Sequence, residues 1–158
     1  MKKTSLKTYA LWILGTEAVG ALSAFLTRDG MALYRTAVIK PPLSPPPIVF
    51  PIAWTALYAM MGGAAARVCG SGPTEERTRG LRLYGVQLGF NFLWSILFFE
   101  YEAFGASLLW LMILWTLILR TKQSFGRVDQ TAGRLMLPYL AWVTFAAYLN
   151  AGVWVLNK

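Results

Sequence analysis

Five long apolar stretches constrain this chain more than anything else in it. They run approximately over residues 9–26, 48–68, 81–99, 104–119 and 135–156, each near the ~17–25 residues that a tilted helix needs to cross hydrocarbon. Only helices and closed barrels satisfy every backbone polar group in lipid, and these stretches are continuous rather than alternating in polarity, which favours helices. The expected fold is therefore all-α: a single domain over residues 1–158, built as a bundle of five transmembrane helices with the lipid bilayer as its solvent. Composition agrees. Charged residues make up 14% of the chain and hydrophobic ones 56%, whereas a soluble domain carries roughly 25% charged residues.

The charges are unequal, 15 Lys and Arg against 7 Asp and Glu. They lie in short clusters between apolar runs, the pattern of membrane loops rather than of a nucleic-acid groove, so no nucleic-acid partner is expected. Five spans put the termini on opposite sides. Lys2, Lys3, Lys7, Arg67, Arg77, Arg79, Arg82, Arg120, Lys122, Arg127 and Arg134 then share one side, and Arg28, Arg35, Lys40 and Lys158 the other. The positive-inside rule makes the first side, with the N-terminus, cytoplasmic, in what is expected to be a bacterial cell membrane. The lysines before the first apolar run resemble the start of a signal peptide, but that run is longer than a usual signal core and is read as a span.

There is no histidine, and Cys69 is the only cysteine. The usual general base and metal ligand are thus missing, and no disulfide can form within the chain. No catalytic residue, metal ligand or required cofactor is assigned.

The connections differ. Residues 27–47 form a long loop ending in Lys40-Pro-Pro-Leu-Ser-Pro-Pro-Pro47, expected to be extended and rigid there because proline fixes φ and lacks an amide donor. An ordered loop of that length reads as a lid or binding loop. Residues 69–80 look solvated and residues 120–134 are polar and basic. Residues 100–103 are so few that the third and fourth spans must form an antiparallel hairpin. No internal repeat is found, so an inverted-repeat transporter is not supported.

Polar groups inside a bilayer are functional candidates because they are costly. Glu17, within the first span, either serves proton- or cation-coupled export or is satisfied by a neighbouring helix or a proton; no second intramembrane charge accompanies it. Gln87 and Asn91 lie one turn apart on the third span and either contact a ligand or join helices. Gly85 and Gly89, on the opposite face of that helix, form a small-xxx-small pair suited to close helix contact. Trp54 and Tyr58 on the second span, and Trp142, Phe145 and Leu149 on the fifth, are one-sided stripes. They serve as packing, as an interfacial belt, or as the lining of a cavity for a flat aromatic ligand.

Lys40-Pro41, Pro45-Pro46, Val49-Phe50-Pro51 and Trp54-Thr-Ala-Leu-Tyr58 resemble the loop and second-helix signature of the translocator protein (TspO/MBR, peripheral-type benzodiazepine receptor) family, in its bacterial form. Gln87, Asn91 and Trp94 continue the resemblance. It is strongest in Arg134-Leu-Met-Leu-Pro138-Tyr-Leu-Ala-Trp142, followed by Phe145-Ala146 and Leu149-Asn150. The blocks span nearly the whole chain in order.

The resemblance implies a five-helix bundle, usually a homodimer, here through the Gly85/Gly89 face, whose ligand cavity is covered by the long loop. It implies binding of protoporphyrin IX or haem-type tetrapyrroles and of benzodiazepine-type or isoquinoline carboxamide ligands. The role would be to bind, move or help dispose of porphyrin under stress. Light-dependent porphyrin degradation is associated with some relatives, and enzymatic status stays open. Carried over by position, the pocket comprises Tyr34, Pro45, Trp54, Tyr58, Gln87, Asn91, Trp94, Trp142, Phe145, Ala146 and Leu149, with Trp54 and the two amides as polar anchors. Leu43 and Ile48 depart from the family pattern, standing where many relatives carry Trp. Ala151 replaces the Tyr of the animal sterol motif, so cholesterol is not expected. The competing reading is a small proton-coupled cation or multidrug exporter using Glu17.

Overall fold

The computed structural model describes residues 4–158, which contain helix and no strand; Lys2 and Lys3 lie outside the described residues. Seven α-helices follow one another: α1 (Leu6–Leu26), α2 (Arg28–Ala37), α3 (Val49–Cys69), α4 (Glu75–Ser95), α5 (Phe104–Val128), α6 (Gln130–Leu135) and α7 (Leu137–Leu156). A wide π-helical turn, Ile96–Glu100, prolongs α4.

Local chemistry sets the helix starts. Ser5 Oγ accepts the Thr8 amide at the head of α1, and Thr74 Oγ1 accepts the Arg77 amide at the head of α4. Glu75 and Glu76 add negative charge at that positive helix end. This cap starts α4 well before the apolar run expected from residue 81. At the other extreme, α5 continues to Val128, past the expected end at 119, through a polar segment.

Among the described residues four helical stretches are long and apolar enough to cross a membrane: α1, α3, α5 and the nearly continuous α6–α7, Gln130–Leu156. Helix α4 matches α1 in length at 21 residues. Its early turns carry Glu75, Glu76, Arg77, Arg79 and Arg82, and Gln87 and Asn91 follow, so it fails the same measure. Length and apolarity thus support four spans against the five expected.

Residues 27–47 also differ from a simple loop. Their first half is α2, with Asp29 in its first turn and Arg35 in its last, each complementing the helix dipole. Only from Val38 does the chain become extended, and the prolines follow.

Helices α1 and α3 pack antiparallel at close range: a Cβ on Gly62 would fall 2.6 Å from the Ile13 Cα. Helices α4 and α5 form the expected hairpin, fixed by Phe90 stacked on Trp110 at 4.4 Å and by the Trp110 indole N–H, which donates to the Phe90 carbonyl at 2.9 Å. Helix α5 reaches α7 through Trp115, whose indole donates to Thr144 Oγ1 at 2.9 Å.

The two ends of the bundle differ in chemistry. At one end Arg67 grips Asp129 through two hydrogen bonds of 3.2 and 2.8 Å, and Arg127 pairs with Glu76 at 3.3 Å. Asp129 is buried and also caps α6 by accepting the Ala132 amide at 2.9 Å. Burial alone would raise its carboxyl pKa. Hydrogen bonds from Arg67 and the α6 amides outweigh that and hold it below the usual carboxylate range. The opposite end carries α2, the proline-rich segment, the π turn and the end of α7. There the cavity lies.

Candidate functional site

Aromatic side chains from α3, α4 and α7 converge beneath α2. Trp54 stacks on Tyr58 one helical turn later, with ring centroids 5.4 Å apart, and meets Trp142 edge-on at 6.4 Å. Phe50 lies edge-on to Trp142 at 6.0 Å, and Trp142 tilts against Phe145 at 5.8 Å. Across the gap Trp94 stacks on Phe98 at 5.3 Å, and Tyr34 of α2 packs 5.5 Å from both Phe98 and Phe99. These rings bound a cavity of about 350 Å3 that is open on one side and predominantly apolar, within the ~300–1,000 Å3 usual for drug-sized ligands.

The lid wall of this cavity is tethered at several points. The Asn157 side chain accepts the Ile39 amide at 3.0 Å and donates to the Ile39 carbonyl at 2.8 Å. Tyr148 Oη donates to the Pro42 carbonyl at 2.7 Å, and Pro41 packs where a Cβ of Gly152 would sit. On the α4 side, Glu100 accepts the Gly30 amide at 3.2 Å. Gly30 itself rests directly on the Phe99 carbonyl, an approach that no side chain at that position would permit.

Nine residues named from the sequence line this one cavity: Tyr34, Pro45, Trp54, Tyr58, Trp94, Trp142, Phe145, Ala146 and Leu149. Gln87 and Asn91 do not. Both are buried behind the cavity, where Tyr58 Oη donates to Asn91 Oδ1 at 2.9 Å and Asn91 Nδ2 donates to Tyr139 Oη at 2.7 Å. Tyr139 Oη then donates to Gln87 Oε1 at 2.9 Å. The two amides therefore join helices and hold Tyr58 in the wall, set back from the lining, with tyrosine hydroxyls on Asn91 Oδ1, Asn91 Nδ2 and Gln87 Oε1. Gln87 Nε2 has no partner among the described residues.

The indoles divide similarly. Trp94 Nε1 is spent on Asn150 Oδ1 at 3.1 Å, which Ser107 Oγ also donates to. Among the described residues no acceptor takes the indole N–H of Trp54 or Trp142, which leaves both available to a ligand. Burial pushes the Tyr34 phenol above its usual pKa, so it too stays a neutral donor.

Leu43 and Ile48 are 82% and 65% exposed and contribute nothing to the lining. Several lining residues escaped the sequence reading: Phe98 and Phe99, Arg35 and Lys40, and Asn150. Phe98 stands one turn beyond Trp94, so the same stripe argument applied to Trp54 and Tyr58 would have found it. The π turn that swings Phe99 inward leaves no comparable pattern. Glu17 lies on α1 outside the cavity, half-buried and without a hydrogen-bond or ion-pair partner among the described residues.

The sequence matches the TspO/MBR family over residues 12–155. It is 40% identical to the tryptophan-rich protein TspO of Chlorobaculum tepidum over 151 residues, covering 95% of this chain and 96% of that protein. Identity to protein CrtK of Rhodobacter capsulatus is 34%, over 97% of this chain and 94% of the relative. The bovine translocator protein is 32% identical, over 88% and 83% of the two chains. Helices of spanning length, together with similarity from Trp12 to Val155, make this chain an integral membrane protein that belongs to the TspO/MBR family.

Proposed function

We propose that this chain binds porphyrin or haem-type tetrapyrroles in the cavity beneath α2, and so binds, moves or helps dispose of them under stress. The observation that carries the reading is the cavity itself: apolar, walled by aromatic rings on opposing helices, and holding two indole N–H donors, Trp54 and Trp142, with no acceptor among the described residues. A flat macrocycle gains ring contacts on its faces and hydrogen bonds at its edges from such a lining. Benzodiazepine-type and isoquinoline carboxamide ligands share that flat aromatic character and fit the same reading. Sterol is left out of it, since Ala151 breaks the animal sterol motif.

In this reading α4 is the fifth span, its polar residues turned inward onto Tyr58 and Tyr139. The end that holds Arg67, Arg77, Arg127 and Arg134 faces the cytoplasm of a bacterial cell, and the lid faces outward. A homodimer forms through α4, where Gly85 and Gly89 are exposed with open space beside them. Glu17 has no part in it, as it stands outside the cavity.

The test is titration of the purified chain in lipid nanodiscs with protoporphyrin IX, followed by quenching of tryptophan fluorescence. Saturable quenching is expected, and Trp54→Ala should weaken it by about tenfold, the upper end of what loss of an aromatic pair contact brings. Quenching that never saturates would refute the reading. An unchanged affinity in the variant would remove Trp54 from the site.

A further inference from the structure

The cavity wall carries two charged side chains, and both are cations. Arg35 at the end of α2 and Lys40 in the segment that follows line it, and no Asp or Glu among the described residues does. Of the carboxylates near α2, Glu100 accepts the Gly30 amide, and Asp29 lies 3.8 Å from Arg28. The Arg35 guanidinium has no hydrogen bond or ion pair among the described residues, so its planar fork of donors is free. Lys40 Nζ is held in place by neutral groups only. It donates to the Arg35 carbonyl at 3.1 Å and sits 5.0 Å from the centre of the Tyr34 ring. These contacts fix the position of the ammonium without cancelling its charge.

We infer that Arg35 and Lys40 form a carboxylate subsite at the rim of the cavity, which selects acid-bearing tetrapyrroles over neutral ones; this rests on the tetrapyrrole reading above. The chemistry divides across the cavity. Trp54 and Trp142 offer flat apolar surface for a macrocycle, and the rim offers a guanidinium, whose geometry matches a carboxylate in bidentate fashion. A ligand apolar in its ring and anionic in its side arms meets both surfaces at once. A neutral ester of the same ring keeps only the first. Because the rim faces solvent, the selectivity is electrostatically screened and weakens with salt.

The experiment compares protoporphyrin IX with its dimethyl ester, using the full chain in nanodiscs of zwitterionic phosphatidylcholine, so that no anionic headgroup competes for the rim. The free acid should bind at least about tenfold more tightly, the scale of one charge-assisted hydrogen bond. Arg35→Gln should lose most of that preference, through weaker binding of the free acid. Arg35→Lys should retain part of it, keeping the charge but losing the fork. Raising the ionic strength should bring the two affinities together. Equal binding of acid and ester by the unaltered chain would overturn the inference and leave the tetrapyrrole reading standing. So would a preference that survives in Arg35→Gln. Saturable binding of neither ligand would sink both.

Discussion

Replacing Tyr139 by Phe removes a single oxygen from the centre of the bundle, and its consequence can be worked out atom by atom. That hydroxyl accepts from Asn91 Nδ2 at 2.7 Å and donates to Gln87 Oε1 at 2.9 Å, all three residues being buried. Phe keeps the ring and its packing, so no cavity opens. It does leave Asn91 Nδ2 and Gln87 Oε1 unsatisfied beside the Gln87 Nε2 that already lacks a partner among the described residues. Each new orphan costs about 1–3 kcal/mol in a dry interior. Chains unfolded within a membrane find alternative partners, which lowers the measured effect toward ~0.6 kcal/mol per bond. A loss of about 2 kcal/mol is therefore expected for Tyr139→Phe. Gln87→Leu behaves differently: it removes both the acceptor and the existing orphan, and strands only the Tyr139 hydroxyl proton. The double variant strands only Asn91 Nδ2, so it returns to one unpartnered group, as in the unaltered chain. It should be about as stable as Gln87→Leu and clearly more stable than Tyr139→Phe. The assay is reversible unfolding by SDS in mixed micelles, with tryptophan fluorescence as signal and the four proteins forming a double-mutant cycle. Additive losses would refute the orphan-counting argument. So would a double variant less stable than Tyr139→Phe alone.

Three other perturbations test the scaffold around the cavity. Asn157→Ala removes both ties to the Ile39 backbone and should speed porphyrin release by about five- to tenfold, the worth of roughly one net hydrogen bond; stopped-flow recovery of tryptophan fluorescence measures it. For Asp129, a native carboxyl pKa below its unfolded value of 3.8 means that the unfolded chain binds the proton more readily. Its contribution to stability is thus present above that value and lost as pH falls below it through the native pKa; Asp129→Asn should remove that acid-dependent part from the stability–pH curve. Gly62→Ala should force α1 away from α3 and cost about 1–3 kcal/mol, because its Cβ would meet backbone atoms of Trp12 and Ile13. Gly85→Ala meets open space and should leave unfolding unchanged; a fall in dimer fraction by crosslinking is then its expected signature.

The helices were legible because the bilayer acts on each stretch separately: an apolar run long enough to span is visible without knowing its neighbours. Where the environment changes along a helix, that signal stops before the helix does. Helix α4 begins at Glu75 because Thr74 caps it, and α5 runs on to Val128, yet neither extension is apolar. The same limit explains α2. Its ten residues, Arg28–Ala37, mix charges and small side chains at a surface, and ten residues make a marginal helix by propensity alone. Contacts made at a distance in sequence decide it: Gly30 against the Phe99 carbonyl, Tyr34 against Phe98 and Phe99.

At the cavity the division falls between ring and amide. Trp54, Trp142 and Phe145 could be placed from the chain because a large aromatic side chain at helical spacing has few uses, and their rings do meet. Gln87 and Asn91 could not, because an intramembrane amide needs a partner and the sequence does not say whether that partner is ligand or protein. What decides is Tyr139, in a helix more than forty residues further along, whose hydroxyl lies within 2.9 Å of both amides. Tyrosine on α7 and carboxamide on α4 hydrogen-bond to each other behind the cavity, and the cavity keeps an aromatic face in which the indole N–H groups of Trp54 and Trp142 have no acceptor among the described residues. The cationic rim was hidden for the opposite reason. In the sequence Arg35 and Lys40 are two of the cations on the lid side of the bilayer, a place that any loop cation can take. Only the fold of α2 over Trp94 and Phe98 turns two ordinary loop charges into the charged lining, among the described residues, of an aromatic cavity.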